Sequence, residues 1–276
     1  MKKDVVLLTI LLLILLISFY LQNLKDMGEK LMPIVDNETS SNLTITIVYD
    51  NYEYDKRLST GFGFSSLVKI KDKNLLFDTG GDSPTLLSNL EKLEINPKEI
   101  DIIVLSHIHG DHTGGLSGIL KVNPNLTIYI PQSFPSSFRE EIKSYGANFV
   151  DVSDSIKIWD GVYSTGELGT WIREQSLIIR TEKGLVIITG CAHPGIVNIV
   201  KKSKEITKEN VYLVTGGFHL GGASDQEILN IVESFREFGV KKTAPCHCTG
   251  DRAIRAFEEE YGNDFIKAGV GKIIKI

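Results

Sequence analysis

Thr44-Ile45-Thr46-Ile47-Val48-Tyr49 alternates apolar and polar residues with the two-residue period of a strand, and Phe64 to Ile70 followed by Asn74 to Phe77 reads as a hairpin pair. Further apolar runs follow, and each ends in chemically capable residues. Asn74-Leu75-Leu76-Phe77 runs into Asp78-Thr79-Gly80, and Ile102-Ile103-Val104-Leu105 into Ser106-His107. Leu185-Val186-Ile187-Ile188 leads to Gly190-Cys191-Ala192-His193, and Val211-Tyr212-Leu213-Val214 to Gly216-Gly217-Phe218-His219. Helical stretches alternate with these runs. Ser83-Pro84 opens one with an N-cap and an N1 proline, Asn96-Pro97 opens a short turn, and others are predicted near 138–145, 196–206, 225–238 and 251–261. In an α/β sheet, groups at the carboxyl ends of strands gather along one crevice. Five of the six histidines stand at such ends, and His247 follows the short Val240–Ala244 run.

The first segment has a different pattern. After Lys2, Lys3 and Asp4, the chain from Val5 to Leu21 is almost wholly Leu, Ile and Val. Roughly 17 residues at about 1.5 Å each just cross a thin hydrocarbon core. A cleaved signal peptide lacks its small-residue cleavage site here, and a buried helix would show a polar face. The reading is an anchor over residues 1–24, a polar linker containing Pro33 over 25–42, and one domain over 43–276. Lys2 and Lys3 before the run are balanced by Lys25 and Lys30 after it, and Asn37-Glu38-Thr39 and Asn42-Leu43-Thr44 are glycosylation-type sequons. The expectation is a single-pass, membrane-anchored protein whose catalytic domain lies outside the cytoplasm.

With 42% hydrophobic and 24% charged residues, the 276-residue chain falls in the globular range. A net charge of −5 argues against a nucleic-acid surface. Three cysteines, Cys191, Cys246 and Cys248, are too few for a disulfide scaffold and read as reduced or site-adjacent thiols. Cys246 and Cys248 flank His247, and read as small packed thiols or as redox-responsive ones.

His107-Ile108-His109-Gly110-Asp111-His112 places three imidazoles and a carboxylate within six residues, and a divalent metal is the natural partner for such a set. His107 and His109 project to the same side of an extended chain, while Asp111 and His112 enter a turn closed by Thr113-Gly114-Gly115, so the four groups divide between two ions. Imidazoles with one carboxylate favour Zn²⁺, with Mn²⁺ or Fe²⁺ as alternatives. His193, at a parallel strand end, is a further ligand candidate.

Ser106-His107-Ile108-His109-Gly110-Asp111-His112-Thr113-Gly114-Gly115-Leu116, preceded by Phe77-Asp78-Thr79-Gly80, resembles the metallo-β-lactamase superfamily. The resemblance implies an α/β fold arranged as a four-layer αββα sandwich with a two-metal site at one edge of the sheets. It also implies that His107, His109 and His193 hold one ion, that Asp111, His112 and His247 hold the other, and that Asp78 orients them from beneath. Members commonly carry a bridging aspartate after a later strand, where this chain reads Thr215-Gly216-Gly217-Phe218-His219. His219 then either becomes a ligand or faces the substrate as an acid/base, with Asp111 the other residue at the reacting centre. The Gly-Cys-Ala-His-Pro-Gly, Gly-Gly-Phe-His-Leu-Gly-Gly and Pro245-Cys246-His247-Cys248-Thr249-Gly250 segments, with Glu174-Gln175-Ser176-Leu177, narrow the resemblance to a branch that includes a dihydropterin–arylamine phosphate synthase of methanopterin biosynthesis.

Three functions are compatible with these residues: a metal-dependent synthase or hydrolase of a small phosphorylated heterocycle, a hydrolase of lactones, thioesters or phosphodiesters, and a membrane-tethered sensor without turnover. The expected partner is a small phosphorylated molecule, with no nucleic acid. Gly216, Gly217, Gly221 and Gly222 offer backbone amides to an anion, and Trp159, Tyr163 and Trp171 offer faces to a flat ring. Oligomeric state is not legible.

Overall fold

The strands form where successive side chains can be buried on opposite faces. In the computed structural model, which describes residues 42–276 together with Ser18 and Thr39, thirteen strands form two sheets. The first contains β1 (Thr44–Tyr49), β2 (Ser65–Ile70), β3 (Lys73–Phe77), β4 (Ile102–Val104), β5 (Thr127–Pro131), β6 (Asn148–Val152) and β13 (Ile273–Lys275), in the order β13-β1-β2-β3-β4-β5-β6. The second contains β7 (Ile156–Trp159), β8 (Val162–Ser164), β9 (Leu177–Thr181), β10 (Gly184–Thr189), β11 (Val211–Gly217) and β12 (Lys242–Cys246), in the order β12-β11-β10-β9-β8-β7. The helices are α1 (Ser83–Lys92), α2 (Gly110–Thr113), α3 (Leu116–Val122), α4 (Ser136–Ser144), α5 (Ile196–Thr207), α6 (Asp225–Glu237) and α7 (Asp251–Tyr261).

Three apolar layers separate four structural ones. Leu75, Phe77 and Val104 of the first sheet share a core with Leu177, Ile179, Val186 and Ile188 of the second. The intervening residues point outward: Leu76 and Ile103 pack with Leu86, Leu90 and Ile119 of α1 and α3, and Leu185 and Ile187 with Ile199, Val232 and Phe257 of α5, α6 and α7. The period-2 alternation of a strand thus feeds two cores at once. Each fully buried Leu, Ile or Phe contributes about 1.5–3 kcal/mol of transfer free energy to this packing. The expected αββα sandwich is therefore observed.

Three details differ from the sequence reading. The cap of α1 is Asp82, whose carboxylate accepts from the Thr85 amide at 2.7 Å, placing Ser83 inside the helix and the proline one position later than read. The helix expected near 138–145 is present as α4, whereas α3 and the strands β5 to β8 were not read, because runs of three to seven residues carry too little periodicity. Among the described residues no helix is long and apolar enough to cross a membrane. That finding corrects the membrane-anchored localisation; the Val5–Leu21 run apart from Ser18, and the linker apart from Thr39 and Asn42, lie outside the described residues.

The layout positions the site. β3 and β4 run parallel, as do β10, β11 and β12, so their carboxyl ends all deliver residues to one edge of the sandwich.

Candidate metal centre

Asp78, immediately after β3, is the keystone of the first sheet's contribution. Its carboxylate accepts from the Ser106 amide (2.6 Å), the Ser106 hydroxyl (2.7 Å) and His112 Nδ1 (2.7 Å), all fully buried. Ser106 Oγ in turn lies 2.9 Å from His107 Nδ1. On the other wall, Asn51 Oδ1 accepts from His247 Nδ1 at 2.9 Å. Each of these imidazoles is thereby tied through one ring nitrogen and turns the other inward, the arrangement that fixes tautomer and orientation in metal-binding histidines.

The inward atoms form two adjoining sets. His107, His109 and His193 converge in one, with His107 Nε2 3.1 Å from His109 Nδ1 and the His193 Nε2 buried without a hydrogen-bond partner. Asp111, His112, His247 and Cys191 make the other. In it, His112 Nε2 lies 3.2 Å from Cys191 Sγ and 3.5 Å from Asp111 Oδ2, and His247 Nε2 lies 3.3 Å from each of the same two atoms. A tetrahedron around a metal with bonds of 2.0–2.3 Å has edges of about 3.3–3.7 Å, so the donor spacing fits a tetrahedral cation. The donor chemistry fits as well: with Nδ1 protonated on both histidines, carboxylate and imidazole lone pairs face one another at a range where only a cation or a shared proton relieves the repulsion.

The local pKa values express the same crowding. Burial, reinforced by the neighbouring imidazoles His112, His193 and His109, drives His107 far below the usual range, and burial with His219 and His109 lowers His193 to about 4. Both are neutral and ready to donate a lone pair. Burial opposes charge on His112 too, but the Asp78 and Asp111 carboxylates prevail and raise it to about 10. Burial pushes Asp111 upward, yet hydrogen bonds from His112 and His247 hold it well below the carboxylate range.

The bridging carboxylate common in the superfamily has no counterpart on 215–219, as the sequence already shows. The Cys191 thiol borders the second donor set instead. Its signal was Gly190-Cys191 directly after a strand, where Gly190 is obligatory: a Cβ there would lie 2.1 Å from Ser106 Oγ and 2.9 Å from Asp78 Oδ2. His219 is exposed, its ring 4.4 Å from that of His193, and it groups with Cys191 and Cys248 rather than with either set above. Cys248 lies on the tight His247–Thr249 turn, and Cys246 is packed in the inter-sheet core. Gly216 and Gly217 serve strand packing, with a Cβ on Gly216 falling 2.0 Å from the Thr189 carbonyl.

Glu174 was quoted only as part of a motif, and its role went unread. Fully buried, it accepts from the amides of Gly190 (3.1 Å), Cys191 (3.0 Å), Ala192 (2.9 Å) and His193 (2.9 Å) and from the Thr189 hydroxyl (3.0 Å). This carboxylate shapes the loop that presents Cys191 and His193. Nearby strain supports the idea of an imposed geometry: Asp78, Ala192, His219 and His247 all have φ between 51° and 60°, a conformation that costs non-glycine residues about 1–3 kcal/mol each.

The fold and the donor sets define a class, and comparison bears it out: residues 58–201 match the metallo-β-lactamase superfamily, to which the chain belongs. The 7,8-dihydropterin-6-methyl-4-(β-D-ribofuranosyl)-aminobenzene-5′-phosphate synthase of Methanocaldococcus jannaschii is 36% identical over 83% of this chain and 95% of its own length. The solved structure of a metal-dependent hydrolase of the β-lactamase superfamily is similar at 29% identity and a TM-score of 0.71, over 85% of this chain and 99% of that one. Human tRNase Z, short form, at 16% identity and a TM-score of 0.57, over 84% of this chain and 98% of that one, shares the fold. The superfamily is one of enzymes with divalent-metal sites, in keeping with the His/Asp/Cys sets here.

Two substitutions test these contacts. Glu174→Gln keeps the shape but sets an amide group against backbone N–H donors, and should lower the unfolding free energy of metal-free protein by about 3 kcal/mol in urea denaturation; an unchanged value would show that the loop holds itself. Asp50, fully buried with Oδ2 unpartnered, has its pKa pushed up to about 6 by burial. A carboxyl raised on folding contributes stability at low pH that is lost as pH rises between about 4 and 6. Asp50→Asn should therefore gain about 3 kcal/mol on the wild type across that window and diverge no further above it. Parallel pH–stability curves would refute the assignment.

Proposed function

We propose that this protein is a metal-dependent synthase that joins an arylamine to a dihydropterin carried as its pyrophosphate. The single observation carrying the reading is the pair of adjoining donor sets, His107/His109/His193 and Asp111/His112/Cys191/His247, in a chain aligned along nearly its whole domain with a relative of that activity. The motifs around Glu174, Cys191 and His219, quoted above for the same branch, support it.

Those two sets would hold divalent ions, which when bound would supply Lewis-acid pull on the pyrophosphate oxygens. Zinc is the ion favoured, because Cys191 adds a soft sulfur donor to imidazoles and a carboxylate. Asp78 and Asn51 hold His112 and His247 in register, and Glu174 holds the 190–193 loop. The arylamine nitrogen attacks the pterin methylene; a C–N bond forms as the C–O bond to pyrophosphate breaks, and one N–H proton is released. His219, exposed beside His193 and with its pKa raised by its hydrogen bond to Cys248, hydrogen-bonds the departing pyrophosphate. Asp111, kept ionised, supplies negative charge close to the developing ammonium.

A hydrolase of the same ligands would put water where the amine stands, so the two readings part on one measurement. Pyrophosphate release from dihydropterin pyrophosphate should require the arylamine; release at the same rate without it would replace the synthase by a hydrolase. His109→Ala should lose about one metal equivalent by elemental analysis, and unchanged stoichiometry would contradict its role as a ligand. His219→Ala should keep full metal yet lower kcat by at least about a hundredfold; loss of metal instead would make His219 a ligand.

A further inference from the structure

Two clefts flank the donor sets, and each holds a large aromatic side chain out into solvent. The first, about 480 Å³, is bordered by Leu168, Trp171, Ile172, His193, Pro194 and Asn198. The second, about 300 Å³, is bordered by Phe62, His219, Gly222, His247 and Cys248. Trp171 is 92% exposed and Phe62 67%. Both volumes lie in the range of about 300–1,000 Å³ typical of small-molecule sites.

Neither ring is placed by chance fraying. Leu168 and Glu174 exchange both backbone hydrogen bonds, at 2.9 and 3.0 Å, so the tip carrying Trp171 stands on a closed base whose last residue is the carboxylate that shapes the Cys191–His193 loop. Gly169, at φ 88°, starts the turn. Phe62 lies against the His247 imidazole, ring centroids 5.0 Å apart. Side chains with few rotatable bonds, held open on rigid bases, bind flat rings at low entropic cost, whereas leaving such apolar area in water is unfavourable. The clefts adjoin through His193, which lines the first, and His219, which lines the second, with 4.4 Å between their rings. A hydrolase needs one such seat and a water; two aromatic seats meeting at one centre suit two planar reactants.

We propose that the site is divided, with Trp171 stacking on the bicyclic heterocycle in the larger cleft and Phe62 on the single ring of the arylamine in the smaller. The division rests on the synthase reading above and adds to it which residues distinguish the two substrates. Gly222 borders the open side of the smaller cleft, where a Cβ would meet nothing within 4 Å. Asn198 donates its Nδ2 to the Pro194 carbonyl at 2.8 Å, which leaves Oδ1 to accept from a ring N–H in the larger one.

The test is a KM split in the full-length, metal-loaded protein. Trp171→Ala should raise KM for the dihydropterin pyrophosphate about tenfold, equivalent to about 1.4 kcal/mol, and leave KM for the arylamine within about twofold; Phe62→Ala should do the reverse, both with wild-type metal content. Trp171→Phe should recover most of the loss. Two unchanged KM values, or both raised together in each variant, would overturn the division while leaving the synthase intact. If the wild type makes no product at all, the synthase reading fails, and the seat is judged by binding alone. Trp159→Phe leaves Trp171 as the one tryptophan of two, and its emission should then be quenched saturably by 6-hydroxymethyl-dihydropterin; no saturable quenching would overturn the seat as well.

Discussion

Two buried carboxylates beneath a cluster of imidazoles hold this site in shape. Asp78 comes from the first sheet and Glu174 from the β8–β9 connection of the second, and each spends its charge on hydrogen bonds to groups that must not move: Ser106 and His112 for one, the amides of residues 190–193 for the other. Burying an ionised carboxylate costs several kcal/mol unless its oxygens are fully paired. Here that pairing also fixes the donors, so the cost of burial and the precision of the site have one origin. It explains why left-handed backbone is tolerated at Asp78 and Ala192, where the hydrogen bonds leave no other conformation.

The histidines show what those anchors achieve. Five imidazoles are packed with ring centroids 4.2–5.0 Å from a neighbour: His107, His109, His112, His193 and His247. Protonating them together is electrostatically forbidden, and the burden falls unevenly. His107 and His193 are forced neutral, while His112 keeps a proton between two carboxylates. Ion binding at such a place must release that proton, so metal affinity and pH are linked through His112.

Much of this was legible in the chain because the informative residues are local. His107-Ile108-His109-Gly110-Asp111-His112 carries four of the inward-facing groups within six positions, and the strand ends before Asp78, His107, His193 and His219 follow from short continuous apolar runs. What escaped detection depends on contacts between distant segments. Glu174 resembles any solvated glutamate until the amides of 190–193 are seen around it, sixteen to nineteen residues away. Cys191 read only as a reduced or site-adjacent thiol, and its place beside Asp111 and His247 requires three loops from different strands to meet. Asp82 and Ser83 are both good caps, and only the backbone shows that the Asp82 side chain, further held by Tyr49 Oη at 2.7 Å, reaches the Thr85 amide. The hydrophobic run at the amino terminus misled in another way: hydropathy reports what a segment could do in lipid, and carries no information on where the folded domain works.

In the synthase proposed above, the distribution of exposed apolar groups would set the site apart from a general hydrolytic centre. A hydrolase must admit water and grip one substrate, for which the inward donors suffice. Here the second sheet's hairpin tip and the loop before β2 each carry an aromatic ring to the rim, on opposite flanks of the His193–His219 pair. Occupying both flanks with planar reactants would cover the approaches by which water reaches the donors, so the same contacts that bind an amine would suppress hydrolysis of the activated partner. In that proposal, selectivity between amine and water would need no added catalytic group: it would follow from which nucleophile can remain beside the centre once both clefts are filled.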